Sequence, residues 1–370
     1  MAGIIVADTI QANSILTKAG SAQSASNLGL SVGSGKNMIT NGAMQISQRG
    51  TSFTPTTALN YSLDRFATLE TTDGSMTISQ DTNVVPTGFK YSLKAVTGTA
   101  DTSLAASQRM ILLTRIEGYD TAHLELGTAN AKQFTLSFYV RSSLTGTFGG
   151  AIQNSASDRN YPFTYTINSA NTWERKTITI AGDTTGTWNT TNSTGLQVCW
   201  GLGVGSTYSG TAGAWASGDI NSATGAVSVI GTASATWYLT GVQLEVGEIA
   251  SEFEHKKYSD TLLDCYRYFY KITRTDAYGE FLVLRTYSTT QGTGVMILPV
   301  SMRAQPTFTS STVNTSNFSY GMTVLGFPGT DHTHRLATHN AVGGFTANGA
   351  AVVQKANNTD PIFMQYDAEL

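Results

Sequence analysis

The sequence has little charge of either sign. Charged residues make up 13% of the 370 residues, about half the fraction found in an average soluble domain. The formal net charge is −3, which provides no positive field to hold a phosphate backbone, so nucleic-acid binding through a basic patch is disfavoured. The expected partner is therefore a neutral molecule or another protein.

Cysteine is scarce and long apolar runs are lacking. Cys199 and Cys265 have no CxxC spacing, so we predict core thiols and neither a disulfide framework nor a zinc site. No apolar run approaches the about 20 residues that a membrane-spanning helix needs. The first residues also lack the basic start and apolar block of a secretory signal. These features predict a protein that is made in a cytoplasm and is not inserted in a membrane.

Residues 1–36 are predicted to form an N-terminal attachment arm. A short strand candidate at 4–10 is followed by "AGSAQSASNLGLSVGSGK", which is too small and polar to bury a core of its own. If the arm is ordered, its apolar residues must pack on another chain or another protein. A flexible leader is the alternative interpretation.

Residues 37–256 carry short runs of β-type alternation separated by turn residues. The opening stretch "NMITNGAMQISQRGTSF" (37–53) reads as a turn at Asn41-Gly42 that leads into a strand. In "QFTLSFYVRSS" (133–143) apolar and mostly polar residues alternate, which gives the two faces of a half-buried strand. Similar runs occur at 176–180, 196–205 and 236–247. This spacing predicts a β-sandwich of the jelly-roll type.

The remaining residues, 257–370, are predicted to form a short linking helix and a smaller C-terminal β domain. Leu262, Tyr266, Phe269 and Tyr270 recur at helical spacing within 257–272, with Ser259 as a possible cap. From Gly279 onward the sequence is β-like again. The predicted fold class is all-β: an extended arm, a jelly-roll sandwich, a short helix and a second β domain.

Several segments taken together resemble tailed-bacteriophage tail-fibre and related virion proteins with a carbohydrate-binding-like jelly roll. They are the opening stretch (37–53), "YSLDRF" (61–66), "FTLSFYVRSS" (134–143), "NTWERKTITI" (171–180), "WYLTGVQLEVGEIASEFEHKKYSDTLLDCYRYFYK" (237–271) and "LPVSMRAQPTF" (298–308). The leader "IIVADTIQ" also resembles the N-terminal segments of phage fibres.

The resemblance implies a virion protein that is assembled in the host cytoplasm. It implies a non-enzymatic homotrimer without a cofactor, which docks on other virion proteins through residues 1–36 and binds host-surface glycans. By analogy, the strand after Asn41-Gly42 would be the first of the sandwich and would share a sheet with the last, "WYLTGVQLEVG". Many such jelly rolls hold a structural calcium with acids at positions that here read Gln45 and Thr240-Gly241, which argues against that ion.

Glycan binding requires exposed aromatic rings beside short polar groups. The segment 157–220 supplies both, and the candidate ligand residues are Trp188, Trp215, Tyr208 and Tyr161. Trp188 and Trp215 lie in Gly/Ser/Thr-rich runs and are the hardest of these to bury. The alternative interpretation is that the rings pack in the core or between subunits, because large rings are usually inside.

Catalysis and metal binding have less support in the sequence. A glycosidase needs two carboxylates in one cleft, and no pattern pairs the available acids Asp64, Asp158, Glu174 and Asp183. The acid and base of "YSLDRF", Asp64 and Arg65, are interpreted as a buried or bridging ion pair.

A metal is the remaining hypothesis. His332 and His334 form an HxH pair, which on a strand would point both imidazoles to one side, where three subunits could surround an axial metal. Solvated loop histidines are the alternative.

Three functions follow in order of support. The first is a fibre that adheres to host glycans, the second is a purely structural virion component, and the third is a polysaccharide-degrading tailspike. The structural hypothesis predicts that Trp188 and Trp215 are buried, the adhesive hypothesis predicts that they are exposed, and the enzymatic hypothesis predicts two carboxylates in a groove.

Overall fold

The computed structural model describes residues 35–56, 59–276, 280–288, 291–310 and 362–370, and outside these ranges only the strand segments given below. None of the helices among these residues is long and apolar enough to cross a membrane. Of the predicted arm, only the backbone of a two-strand ladder is described, and the packing of the arm's side chains lies outside the described residues.

The regular secondary structure of the described chain is mostly strand. The strands are β1 (Ile15–Leu16), β2 (Ala22–Gln23), β3 (Ser52–Phe53), β4 (Leu59–Tyr61), β5 (Phe66–Glu70), β6 (Met76–Asp81), β7 (Ser92–Thr97), β8 (Arg109–Glu117), β9 (Phe134–Ser142), β10 (Gly146–Gln153), β11 (Arg159–Ile167), β12 (Glu174–Ile180), β13 (Thr194–Val204), β14 (Ser209–Gly210), β15 (Ala216–Ser217), β16 (Ser222–Ala223), β17 (Thr236–Val246), β18 (Phe269–Arg274), β19 (Glu280–Thr286), β20 (Gln291–Ile297), β21 (Thr307–Ser310), β22 (Asn314–Thr315), β23 (Phe318–Leu325), β24 (His334–Ala341), β25 (Ala350–Gln354) and β26 (Ile362–Asp367). The helices are α1 (Gly118–Thr121) and α2 (Tyr258–Tyr266), with 3-10 turns at Ala122–Leu124 and Ser206–Tyr208.

Two antiparallel sheets form a β-sandwich. One has seven strands in the order β15-β11-β10-β13-β8-β5-β4, and the other has six in the order β12-β9-β17-β7-β6-β3. Their facing sides enclose one continuous apolar core. Together with the β-rich C-terminal part, this confirms the predicted all-β fold class with a jelly-roll sandwich and a short helix. The predicted domain boundaries at 36/37 and 256/257 stay predictions.

Strand alternation produces the core. In β9, Phe134, Leu136, Phe138 and Val140 are all fully buried, as the alternating pattern predicts, and each such side chain contributes about 1.5–3 kcal/mol by leaving water. Trp237 of β17 is buried across from this strand and donates its indole N–H to the hydroxyl of Tyr165 at 3.2 Å. A hydrogen bond between one ring of each sheet therefore crosses the core.

The opening stretch is a turn, and the strand predicted directly after Asn41-Gly42 is wrong. Asn41 and Met44 both have positive φ angles, 60° and 58°, so the backbone reverses where a strand would run straight. The turn lies against the last sandwich strand, because the Val242 N–H donates to the Gly42 carbonyl at 2.9 Å. A Cβ on Gly42 would lie 2.1 Å from the Val242 oxygen, so only glycine fits. The first sandwich strand is β3, which does share a sheet with β17.

Helix α2 joins the sandwich to the C-terminal strands. It begins at Tyr258, with Lys257 at the N-cap position and no capping side chain. The predicted cap is wrong: Ser259 lies inside the first turn, and its hydroxyl donates to Asp260 at 3.2 Å. The helix ends at Tyr266, and the chain turns into β18, which pairs with β26 in a three-stranded sheet. A further six-stranded sheet runs in the order β22-β23-β24-β20-β19-β25.

Buried polar contacts connect the sandwich to this C-terminal part. Arg65 is almost fully buried, and its guanidinium lies 3.5 Å from the centroid of the Tyr268 ring while also pairing with Glu369. Burial, the largest single effect, would lower the pKa of Arg65, but the charge of Glu369 together with those of Tyr268, Tyr61 and Cys265 outweighs it and the pKa is raised. The neighbouring Asp64 binds Gln48 instead of Arg65. The acid and base of "YSLDRF" are thus both buried, each with its own partner.

Both cysteines are free and buried, as predicted for core thiols. Burial raises the pKa of Cys199 to about 12, so its thiol is protonated and unreactive at neutral pH.

Candidate functional site

Three of the four aromatic candidates lie together at one edge of the sandwich. The ring of Trp215 lies 5.3 Å from that of Tyr161 and 5.4 Å from that of Trp188, centroid to centroid. The two contacts are edge-to-face, at 62° and 86°, an arrangement that aromatic pairs prefer. We call Tyr161, Trp188 and Trp215 the edge cluster.

The edge cluster is assembled by elements of both sheets. Tyr161 projects from β11 with the same parity as the core residues Phe163 and Tyr165. Trp215 directly precedes β15, which pairs with the start of β11. Trp188 lies in the loop after β12, and β12 is the edge strand of the six-stranded sheet. The rings therefore close the open side of the sandwich, where the two sheets meet.

Hydrogen bonds hold both indole rings in place. The Trp188 indole N–H donates to the Thr185 carbonyl at 3.1 Å, and that of Trp215 donates to the Ala181 carbonyl at 2.7 Å. Because both donors are used by the protein, a ligand would contact these rings through their carbon surfaces. Such surfaces suit the C–H face of a sugar, which stacks on an aromatic ring.

A buried ion pair supports the loop that carries Trp188. Arg159 donates to both carboxylate oxygens of Asp183, each at 2.8 Å. Burial by itself would raise the pKa of Asp183, but the hydrogen bonds from Arg159 and Thr185 outweigh it and the pKa is lowered. The carboxylate is therefore charged across the physiological range. Its bidentate pair of hydrogen bonds with Arg159 holds the loop in place.

Neither tryptophan is fully exposed or fully buried. Trp188, Trp215 and Tyr161 are each half-buried and pack partly against the main core. This result lies between the exposure that the adhesive hypothesis predicts and the burial that the structural hypothesis predicts.

Tyr208 is separate from the edge cluster. It lies in a 3-10 turn, half-buried, with the Arg109 guanidinium 4.0 Å above its ring. Among the described residues, no ring contact joins Tyr208 to the other three candidates. An arginine that already covers the ring occupies the surface on which a sugar would stack.

The four acids weighed for catalysis each have protein partners. Asp64 accepts from Gln48, Asp158 from Asn154, Glu174 from Lys176, and Asp183 from Arg159. For Glu174 burial would raise the pKa, but hydrogen bonds from Lys176 and the backbone of Ser169 outweigh it and lower the pKa to about 2. These contacts tie the four carboxylates to the fold.

A polar cavity of about 560 Å³, which the sequence did not indicate, lies between the opening turn, the end of β8 and α2. Its lining includes Glu117, Asp120 and Asp264. Arg267 donates to the Glu117 carboxylate from Nη2 at 2.6 Å and from Nε at 2.8 Å. Burial, and then the nearby charge of Glu117, raise the pKa of Asp120. The cavity brings together segments near residues 37, 120 and 264 that are far apart in sequence, so no local spacing could have revealed it.

The metal hypothesis lies outside the described side chains. His332 is not described, and His334 is described only as the first backbone position of β24. Within the described residues, no group of three or more His, Cys, Asp or Glu side chains could hold a metal. The HxH site stays a prediction.

At the calcium positions of the resemblance, polar contacts hold the backbone. The Thr240 hydroxyl donates to the Tyr91 carbonyl at 2.8 Å, and the Gln45 carbonyl accepts from the Gln80 side chain at 3.1 Å. The residues at these two places supply no carboxylate, which calcium sites normally require. The described residues therefore do not fit that ion there.

No protein-family model and no curated protein matches the chain. Distant likenesses exist among solved structures. One is the enzymatically active domain of bacteriophage CBA120 tailspike protein 4, with a TM-score of 0.31, 11% identity, and coverage of 57% of this chain and 22% of that chain. Another is a family 61 carbohydrate-binding module in complex with β-1,4-galactotriose, with a TM-score of 0.28, 8% identity, and coverage of 57% and 99%. A third is the family 11 carbohydrate-binding module of Clostridium thermocellum in complex with a mixed-linked tetrasaccharide, with a TM-score of 0.27, 6% identity, and coverage of 55% and 98%. The chain thus spans about a fifth of the tailspike chain it matches, and membership of the tail-fibre family stays a prediction.

Proposed function

We propose that this chain is a non-enzymatic fibre protein of a phage virion that binds host-surface glycans through the edge cluster. The observation that carries the proposal is the placement of three half-buried aromatic rings, 5.3 and 5.4 Å apart, at the open side of the sandwich. Both indole rings are fixed by backbone hydrogen bonds. A fixed platform loses little conformational freedom when it binds a ligand.

Polar side chains around the rings supply the second requirement for sugar recognition. Asn189 donates to Ser155 at 2.9 Å, and Asn154 donates to Asp158 at 2.6 Å, both close in sequence to members of the cluster. Short amides, hydroxyls and carboxylates of this kind can exchange hydrogen bonds with sugar hydroxyls. The carbohydrate-binding modules named above also bind saccharides. The proposal rests on the edge cluster and not on that likeness.

The proposed assembly is a homotrimer that is attached to other virion proteins through residues 1–36. Three weak sites on one rigid frame raise avidity without strengthening any single site. Millimolar binding at each edge cluster would therefore be enough for attachment to a surface that displays many copies of a glycan.

The experiment is a measurement of mass in solution together with a glycan-array screen of the same sample. Trp188→Ala and Trp215→Ala should each abolish array binding while leaving the mass unchanged. Trp173→Ala is the matched control, because Trp173 is also half-buried but packs against Tyr238 on a different strand. A trimer that binds glycans and loses binding only in the first two variants supports the proposal. A monomer contradicts the trimeric fibre.

A purely structural virion component is the second candidate. It is favoured by the packing of Trp188 and Trp215 against the main core, since rings that only close a sandwich edge need no ligand. In this case the wild-type trimer would bind no glycan, and the only effect of Trp188→Ala would be a lower stability of the fold.

A polysaccharide-degrading tailspike is the third candidate, and the polar cavity is the observation that favours it. Cleavage would require a second carboxylate about 5–9.5 Å from the first. Release of reducing ends from a polysaccharide that is lost in Asp120→Asn would support this candidate over the other two.

A further inference from the structure

A second groove lies on the chain, away from the edge cluster. Its volume is about 450 Å³. It is bordered by Ala43 and Gln45 of the opening stretch, by the loop before β7 and by the segment that leads into α2. The side chains that the inference uses are Gln45, Phe89, Lys90, Tyr91, His255 and Tyr258. We call this feature the aromatic groove. It shares no residue with the edge cluster.

Rings that support one another form the base of the aromatic groove. The Phe89 ring lies 5.3 Å from Tyr139, 5.1 Å from Phe253 and 5.0 Å from His255, and the last two are 4.9 Å apart. Gly241 makes this packing possible. Its φ is +61°, and a Cβ there would lie 2.7 Å from Phe89 and 2.8 Å from Tyr139. The base is therefore held in place by several contacts at once.

Several polar ends in the groove have no hydrogen-bond partner within the described part of the chain. They belong to the Gln45 amide, the Lys90 ammonium and the Tyr258 hydroxyl, and Tyr258 is 55% exposed. A pocket with aromatic walls and a few free polar groups is the usual form of a small-ligand site. The aromatic groove meets that description without any movement of the backbone.

The charge of the groove is of one sign. Among the lining residues that the structure describes, Lys90 is the only permanently charged one, His255 is the only other basic one, and none is a carboxylate. The ammonium lies 5.4 Å from the centroid of the Tyr91 ring and is exposed. This contrasts with the net charge of −3 on the whole chain and with the three acids of the polar cavity. Such a groove selects for a ligand that carries an anionic group.

We propose that the aromatic groove binds a carboxylated saccharide of the uronic-acid or sialic-acid type. The exposed ring of Tyr258 would stack on the apolar side of the sugar ring. Lys90 would pair with the carboxylate, and Gln45 would bond to a hydroxyl. Because this is a separate site with a different ligand chemistry, the inference goes beyond the proposed function and does not depend on the edge cluster.

The experiment is calorimetric titration of the full chain with trigalacturonate and with 3′-sialyllactose. Galactotriose and lactose are the neutral counterparts. We expect at least one carboxylated probe to bind about tenfold more tightly than its counterpart, and Lys90→Gln to remove that difference. Tyr258→Ala, on an exposed helical position, should weaken binding of the same probe without affecting folding. Lys257→Gln is the control, because it removes an equal charge from a residue that does not line the groove.

Each outcome bears on the inference separately from the proposed function. Preference for the charged probe that is lost in Lys90→Gln and kept in Lys257→Gln and Trp188→Ala supports the groove. Equal affinity for charged and neutral probes, no binding of either carboxylated probe, or equal effects of Lys90→Gln and Lys257→Gln overturns it. If carboxylated probes bind but the loss follows Trp188→Ala, the edge cluster is the site and the groove is not.

Discussion

At the scale of single residues, Asp64 shows how burial changes the chemistry of a carboxyl group. It accepts a hydrogen bond from the Gln48 backbone N–H at 2.8 Å and a second from the Gln48 side chain. Burial raises its pKa from 3.8 to about 6, although Arg49 and the Gln48 hydrogen bonds act in the opposite direction. The folded chain therefore favours the neutral form of Asp64 more than the unfolded chain does.

The stability contribution of Asp64 should fall as pH rises. A folded-state pKa above the unfolded one gives a contribution that is fully present below pH 3.8 and is lost as pH rises through about 6. The difference in free energy of unfolding between the wild type and Asp64→Asn, measured in urea from pH 3.5 to 7.5, should decrease by about 3 kcal/mol. Asp73→Asn changes an exposed carboxyl and is the control. A difference that is flat or that grows with pH would contradict the assigned burial effect.

The candidate site could be predicted only in part from the sequence. Large rings in Gly/Ser/Thr-rich runs indicated that Trp188 and Trp215 are hard to bury, and both are half-buried in the structure, while their role in ligand binding stays a prediction. The same pattern could not show that the Arg109 side chain covers the Tyr208 ring, because Arg109 is 99 positions earlier in the chain. The aromatic groove was missed for the same reason. Its base combines Phe89, Tyr139 and Phe253, which come together only through the sheet.

At the scale of elements, the opening turn depends on one amide side chain. Asn37 donates to the Val242 carbonyl at 3.0 Å and accepts from the backbone N–H groups of Ile39 at 2.9 Å and Leu244 at 3.1 Å. Val242 lies within the irregularity of β17 between Thr240 and Gln243, and Leu244 lies just after it. The amide therefore provides hydrogen-bond partners for backbone groups at and beside the bulge.

Asn37→Ala should destabilise the sandwich by about 3 kcal/mol, because it leaves buried backbone groups without partners. Asn37→Asp keeps the acceptor oxygen but loses the donor, so its effect should be smaller. Thermal unfolding followed by circular dichroism measures both. Asn130→Ala, at an exposed position, should leave the midpoint unchanged. A midpoint for Asn37→Ala equal to that of Asn130→Ala would show that the amide does not hold the turn.

Strands could be predicted from the sequence wherever apolar and polar residues alternate, as in β9, because alternation is a local property. The opening stretch could not. Its apolar residues Met38, Met44 and Ile46 are buried as a strand pattern would require, but its backbone bonds go to Val242 and Leu244 about 200 positions later. The Ser259 cap failed because the helix begins two residues earlier than that cap requires, at Tyr258 with Lys257 at the N-cap position.

At the scale of the whole molecule, the sandwich and the C-terminal sheet are joined through ion pairs around β26. Arg49 bonds to Asp367 at 3.0 Å and to Glu369 at 3.3 Å, while Arg65 pairs with the other Glu369 oxygen. Arg303 donates to the carbonyls of Ala368 and Glu369, each at 2.8 Å. Because these groups are largely removed from water, their removal one at a time should cost more than the loss of a surface pair.

Glu369→Gln should separate the unfolding of the two parts. The variant leaves Arg65, which is 2% exposed, as a buried cation without a carboxylate, and the cost should be about 3–5 kcal/mol. Differential scanning calorimetry should show one transition for the wild type and two for the variant, because the joint no longer links the sheets as strongly. Glu248→Gln removes the same charge from an exposed position and should keep a single transition at the wild-type midpoint. If Glu369→Gln behaves like Glu248→Gln, the joint does not depend on the Arg65 pair, and the two parts must be held together by the apolar contacts of β18 and β26.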